Sequence, residues 1–171
     1  MAEALPEVWL RGPLENIPAL LQPAAHALLQ AMEEIQAAMK DFPDHLLWER
    51  PAGVASPGFH LLHITGVLNR LCTYARAGLL NEEQLAYLKS ESERQDRPVS
   101  KLIEMLQRQV NQTLKQFSET DESTLTELRS VGRKGLPSTV QGLLFHAAEH
   151  TMRHLGQLLV TVKLLKAGSS G

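Results

Sequence analysis

The chain has 171 residues, 43% of them hydrophobic and 21% charged, with a formal net charge of -2. That length bounds the expectation to one domain with a sizeable core, and the composition is that of a globular protein, neither disordered nor fibrous. The charge balance has none of the basic footprint that a nucleic-acid backbone or an anionic membrane surface demands, so neither is expected as a partner.

A single cysteine, Cys72, cannot form an internal disulfide. The opening MAEALPEVWLRGP has acids and a proline where a signal peptide would carry basic residues and an apolar run. Together they lead to the expectation of a reducing, cytoplasmic setting. No uninterrupted apolar run approaches the roughly 20 residues of a membrane-spanning helix.

Taken in chain order, the periodicity predicts four helices and an all-α fold. The first runs from Pro18 or Pro23 to Asp41, with Leu28, Leu29, Met32, Ile35 and Met39 at spacings of three and four, and Pro43 forbids its continuation. The second starts at SPGF, where Ser56 caps and Pro57 takes the first helical position, and ends near Ala77. The third spans Val99 to Phe117 and places Leu102, Met105, Leu106, Val110, Leu114 and Phe117 on one stripe. The fourth opens at PSTVQ, where Ser138 and Gln141 have the spacing of a capping box, and reaches about Lys166. The connections before and after the third helix are too long for tight antiparallel turns, so at least one crosses the bundle. The domain is expected over residues 1–167, with 168–171 as a flexible tail.

The fourth helix carries His146, His150 and His154, each four residues from the next. At about 100 degrees per residue, His150 and His154 lie about 40 degrees apart and one turn from each other, so both can reach one point. That is the geometry of two ligands to one metal, and neutral imidazole suits zinc, nickel or iron. Two histidines at this spacing also arise by chance in packed helices, so a third from another helix is needed. In FHLLHITGVLNRL the second helix offers His60 and His63, three apart on one side.

The segment LLHITG around His63, followed some eighty residues later by HTMRHLGQL, resembles the DinB/YfiT-like superfamily of metal-binding four-helix bundles. The resemblance covers most of the chain and implies a metal held by His63, His150 and His154, with Gly156 and Gln157 as the Gly-Gln pair that follows the last ligand. Where the family often has a second histidine just before that ligand, this chain has Arg153. The family name denotes a fold and implies no polymerase activity.

Several neighbours share the metal-facing directions. His146 could replace a ligand, stand behind one, or fill the end of the bundle, and His60 is a weaker candidate of the same kind. Gln157 could orient an imidazole or a substrate, or be a solvated amide. Arg70, on the His63 face, could bind an anionic substrate or extend to water. Glu149 is expected to face outward and so leaves no general base beside the cluster, and Cys72 is expected in the core.

Members of the resembling superfamily include bacillithiol S-transferases and mycothiol-dependent maleylpyruvate isomerases. The resemblance therefore implies a divalent metal (zinc, nickel or iron), a small-molecule substrate, and a low-molecular-weight thiol as a further cofactor in the transferase case; with water as the activated group, the protein would be a hydrolase. The alternative is a non-catalytic homodimeric bundle with a structural or vestigial metal. On the back of the fourth helix Phe145, Met152 and Leu159 are spaced by seven and broken only by Glu149, Arg153 and Lys163. That face is expected to form a homodimer or to be covered by the segment LPEVWLRGPL or the loop before the helix.

Overall fold

The computed structural model describes residues 5–168. Its helices are α1 (Gln22–Met39), α2 (Pro57–Ala75), α3 (Glu82–Ser90), α4 (Val99–Ser118) and α5 (Val140–Gly168), with strands β1 (Leu128–Val131) and β2 (Leu136–Thr139) before the last. The four long helices are those the periodicity predicts. Helix α5 continues into Gly168, where the tail was expected, and 169–171 lie outside the described residues.

Helix α1 packs against α5 and α4, and α2 packs against the same two from the other side. The bundle therefore has α1 diagonal to α2 and α4 diagonal to α5. Consequently the connections 40–56 and 119–139 each join diagonal helices and cross an end of the bundle. The connection 76–98 joins neighbours instead, and its length is used by α3, which lies on α2. One contiguous core joins Leu28, Ile35, Leu61, Leu68, Leu106 and Leu144, with residues of all four long helices around them.

Local chemistry accounts for the element ends. Ser56 Oγ accepts the Phe59 N–H at 3.2 Å, as the SPGF pattern predicts. Helix α3, absent from the sequence reading, starts on a capping box: Asn81 Oδ1 accepts from Gln84 N at 2.8 Å while Gln84 Oε1 accepts from Asn81 N at 3.0 Å. The Ser138/Gln141 box expected at the last helix does not form. Ser138 belongs to β2 and pairs with Arg129, so Thr139 caps instead, its Oγ1 accepting from Gly142 N at 3.0 Å. The first-turn N–H groups of Val140 and Gln141 donate to the carbonyls of Glu127 and Leu125, which anchors the hairpin to the helix start. The β1–β2 hairpin itself turns on Gly132 and Gly135, with φ of 66° and 59°. Among the described residues no helix is long and apolar enough to cross a membrane.

Candidate metal centre

Helices α2 and α5 are neighbours, so their facing edges meet along a seam, and the histidines lie on it. His63, His150 and His154 each offer a ring nitrogen, and these atoms lie within 4.8 Å of one another. The ring centroids are 4.6 Å apart for His63 and His154, 4.5 Å for His150 and His154, and 5.2 Å for His63 and His150. All three residues are half-buried, so the cluster lies at the edge of the bundle with solvent on one side.

The protein controls which nitrogen of two of these rings is left bare. His63 Nδ1 is 2.8 Å from Glu91 Oε2, and since a carboxylate only accepts, the neutral ring carries its hydrogen on Nδ1 and turns the Nε2 lone pair to the cluster. His154 Nδ1 is 3.0 Å from His60 Nδ1, which occupies that nitrogen and leaves Nε2 free. His150 differs. Its Nε2 is 3.0 Å from His63 Nε2, while its Nδ1 is buried with no hydrogen-bond partner. Whichever nitrogen of His150 carries the hydrogen, the ring keeps one position the protein does not satisfy. In the Nδ1–H form, two lone pairs face each other across 3.0 Å, an arrangement that a cation between them would relieve.

Electrostatics agree with this donor set. Burial, with His63 nearby, holds His150 down to about 4 and His154 down to about 3, so both are neutral with their lone pairs available near pH 7. His60, also desolvated, is held to about 4. Phe59 stacks on His63 at 5.1 Å with an interplanar angle of 12° and limits how the ring can turn. Three imidazoles, two of them oriented from behind, fit a borderline divalent cation.

The other residues singled out in the sequence separate clearly. His60 is 1% exposed and stands behind His154. His146 lies at the rim, with its ring 5.3 Å from His150 and its Nδ1 3.1 Å from Glu149 Oε2. Glu149 also pairs with Arg153, which holds its carboxyl below the usual range. Gln157 is exposed. Cys72 is buried, and burial raises its thiol pKa. Arg70 neither extends to water nor stands free for an anion: it is 8% exposed and its guanidinium grips Glu91 through both Nη atoms.

Glu91, the partner of both His63 and Arg70, is the residue beside the cluster that the sequence does not reveal. It follows α3 within SESERQD, where Glu93 and Asp96 are near equivalents, and nothing local distinguishes it. A cleft of about 530 Å³ between α2 and α3 is lined by Arg70, Gly66, Asn69, Gln84 and Tyr87 among others, and none of the three clustered histidines borders it. Its amides are spent on one another, Asn69 Nδ2 donating to Gln109 and Gln84 Nε2 to Thr73, so the cleft reads as helix-to-helix packing.

No curated protein sequence matches the chain. Among solved structures, it is similar to the crystal structure of a Streptococcus pneumoniae protein determined as a structural-genomics target. The TM-score is 0.63 at 15% identity, covering 84% of this chain and 88% of that one, a likeness of fold. The family comparison matches the DinB superfamily over residues 21–158, a span that begins just before α1, runs through α2 and His63, and closes beyond His150 and His154 on α5, so the chain belongs to the DinB superfamily.

Proposed function

We propose that this protein is a metal-dependent enzyme acting on a small molecule, with a divalent ion held by His63, His150 and His154. The observation that carries the reading is the convergence of three imidazoles, within 4.8 Å of one another, at an edge of the bundle that solvent reaches. The chemistry a zinc, nickel or iron ion supplies at such a site is Lewis acidity toward a water or a low-molecular-weight thiol, as in a hydrolase or a thiol S-transferase. The protein's own contribution is to hold His150 and His154 neutral and to orient His63 and His154 from behind. Glu91 is no candidate general base, because Arg70 and His63 occupy its carboxylate. We assign proton exchange with a bound molecule to His146, whose exposed ring lies 5.3 Å from that of His150.

A second reading, a non-catalytic homodimeric bundle with a structural metal, is favoured by the back of α5, where large apolar side chains stay exposed. Elemental analysis followed by a thiol-consumption screen against electrophiles separates the two. The enzyme reading expects one metal equivalent per chain and metal-dependent turnover. His150→Ala should lose both, yet keep its helical circular dichroism, because one ligand is removed while the apolar stripes of four helices remain. Loss of the helical signal on chelation at room temperature would count for the structural metal.

A further inference from the structure

We propose that Glu91, clamped by Arg70 and admitted by Gly66, is a positioning residue that sets the tautomer and the donor strength of His63. The proposal rests on the metal reading only for its effect on affinity; the tautomer belongs to the protein with or without an ion.

The arrangement is built where the end of α3 meets α2. Helix α3 ends at Ser90 and delivers Glu91 toward α2, where the residue is 3% exposed. The approach depends on Gly66: a Cβ there would come within 2.0 Å of Glu91 Oε1, 2.6 Å of Arg70 Nη1 and 2.8 Å of Tyr87 Cε1. Two of those atoms are the ion pair itself, so any side chain at 66 would displace it. Arg70 then takes Oε1 through Nη1 and lies 3.4 Å from Oε2 through Nη2. The Oε2 atom receives the His63 Nδ1–H at 2.8 Å.

A buried ion pair of this kind contributes little net stability, because desolvation of the two charges offsets their attraction. Its orientation of His63 is specific, however. A carboxylate behind an imidazole fixes the ring's direction, keeps the hydrogen on Nδ1 and raises the basicity of Nε2, the nitrogen turned to the cluster. Neighbouring contacts can also be assigned separately: Tyr87 OH donates to Leu62 O at 3.2 Å and so ties α3 to α2 without touching His63.

The test compares wild type, Glu91→Gln, Glu91→Ala and Tyr87→Phe, using zinc as the metal and competition with a chromophoric chelator for affinity. Nitrogen-15 spectra of the histidine rings in the metal-free protein read the tautomer. Glu91→Gln and Glu91→Ala should bind zinc on the order of 10- to 100-fold more weakly, the span seen when such partners are removed. Tyr87→Phe should bind like wild type, and Glu91→Ala should release His63 from the Nδ1–H form. A merely structural role would weaken all three variants alike and leave the His63 tautomer unchanged, and that result overturns the proposal. A wild type that binds no zinc refutes the metal reading instead, and the ring spectra then decide Glu91 alone: retention of the Nδ1–H form in Glu91→Ala overturns its positioning role.

Discussion

Helices α4 and α2 lie side by side and differ in how they treat ionisable groups. Helix α4 buries one stripe of Val99, Leu102, Leu106, Val110 and Phe117 together with the uncharged polar residues Gln109, Thr113 and Gln116. Its charges stay outside, as in the Lys101–Glu104 and Arg108–Glu104 pairs at 2.9 and 2.8 Å. Helix α2 buries residues on most of its sides, and among them are His60, Thr65 and Arg70. Each has a partner: His154 for His60, the Leu61 carbonyl for Thr65 at 2.8 Å, and Glu91 for Arg70. A helix that keeps its charges in water buries only uncharged polar groups, as with Gln116, whose Nε2 donates to the Cys72 carbonyl at 3.0 Å, whereas one that carries ionisable groups into the bundle must have each of them answered by a particular neighbour. Stability should therefore be concentrated on α4-type contacts and metal affinity on the α2–α5 seam.

The largest effect on stability is expected from the α4 side. Leu106 is fully buried, and truncation of such a leucine to alanine costs about 2–5 kcal/mol. Leu106→Ala should lower the melting temperature of the metal-free protein by on the order of 10 °C. At temperatures where the variant is folded, its zinc affinity should match wild type. A large loss of affinity in the folded variant would break the separation of the two regions.

A smaller effect is expected from acid, and it comes from the seam. Burial holds His60 and His150 to about 4 and His154 to about 3 in the folded protein. In the unfolded chain each returns to about 6.5. Above that value both states are neutral and these groups contribute no pH dependence. As pH falls below it, the unfolded chain takes up protons that the native site refuses, so stability declines until the native values are reached. The metal-free protein should thus lose urea resistance progressively from pH 6.5 to 5, before ordinary carboxylates titrate. Replacing the buried imidazole in His60→Leu should make that decline shallower. A urea midpoint that is flat between pH 7 and 5 would show that the seam is not desolvated.

What was legible in the sequence follows the same division. The long helices α1, α2, α4 and α5 announce themselves because burial of one stripe imposes a period of three to four residues. Helix α3 spans Glu82–Ser90 and has no buried residue, so no apolar period marks it, although Asn81 and Gln84 carry a readable start signal. The β1–β2 hairpin escapes because its strands are four residues each and end on Thr139, whose capping role shifts the start of α5 past Ser138. At the site, His150 and His154 are legible from spacing, and His63 from the family-like segment around it. Glu91 is 28 residues from His63, and only the docking of α3 over Gly66 brings the two together. Without Glu91, Arg70 could only be read as an anion binder or a surface side chain.

The smallest effect on the fold is expected on the back of α5, the part of that helix that neither packs nor carries the histidine cluster. Phe145 is 62% exposed, Met152 36%, Val160 61% and Leu164 54%. Leu159, expected in this line, instead packs partly against the core, and the exposed Val160 and Leu164 lie about 60 and 100 degrees round the helix from Phe145, at about 100 degrees per residue. The N-terminal segment does not cover it: Val8 N donates to Gln30 Oε1 at 2.9 Å and Arg11 pairs with Glu33, both on α1. Nothing lies within 4 Å of where a Cβ on Gly156 would be, so the middle of this face is open to another backbone. Large apolar side chains exposed together along one helix are the kind of surface that proteins cover, and we propose that a second copy covers the Phe145–Met152 side, α5 against α5. Met152→Glu leaves the core untouched, so its effect on the stability of an isolated chain should stay within about 0.5 kcal/mol. In sedimentation the wild type should run as a dimer and Met152→Glu as a folded monomer with unchanged zinc affinity. A wild type that sediments as a monomer at high micromolar concentration would rule out the dimer. A Met152→Glu monomer with lost zinc affinity would instead mean that the two faces of α5 are not independent, and that the histidine seam depends on the neighbouring chain.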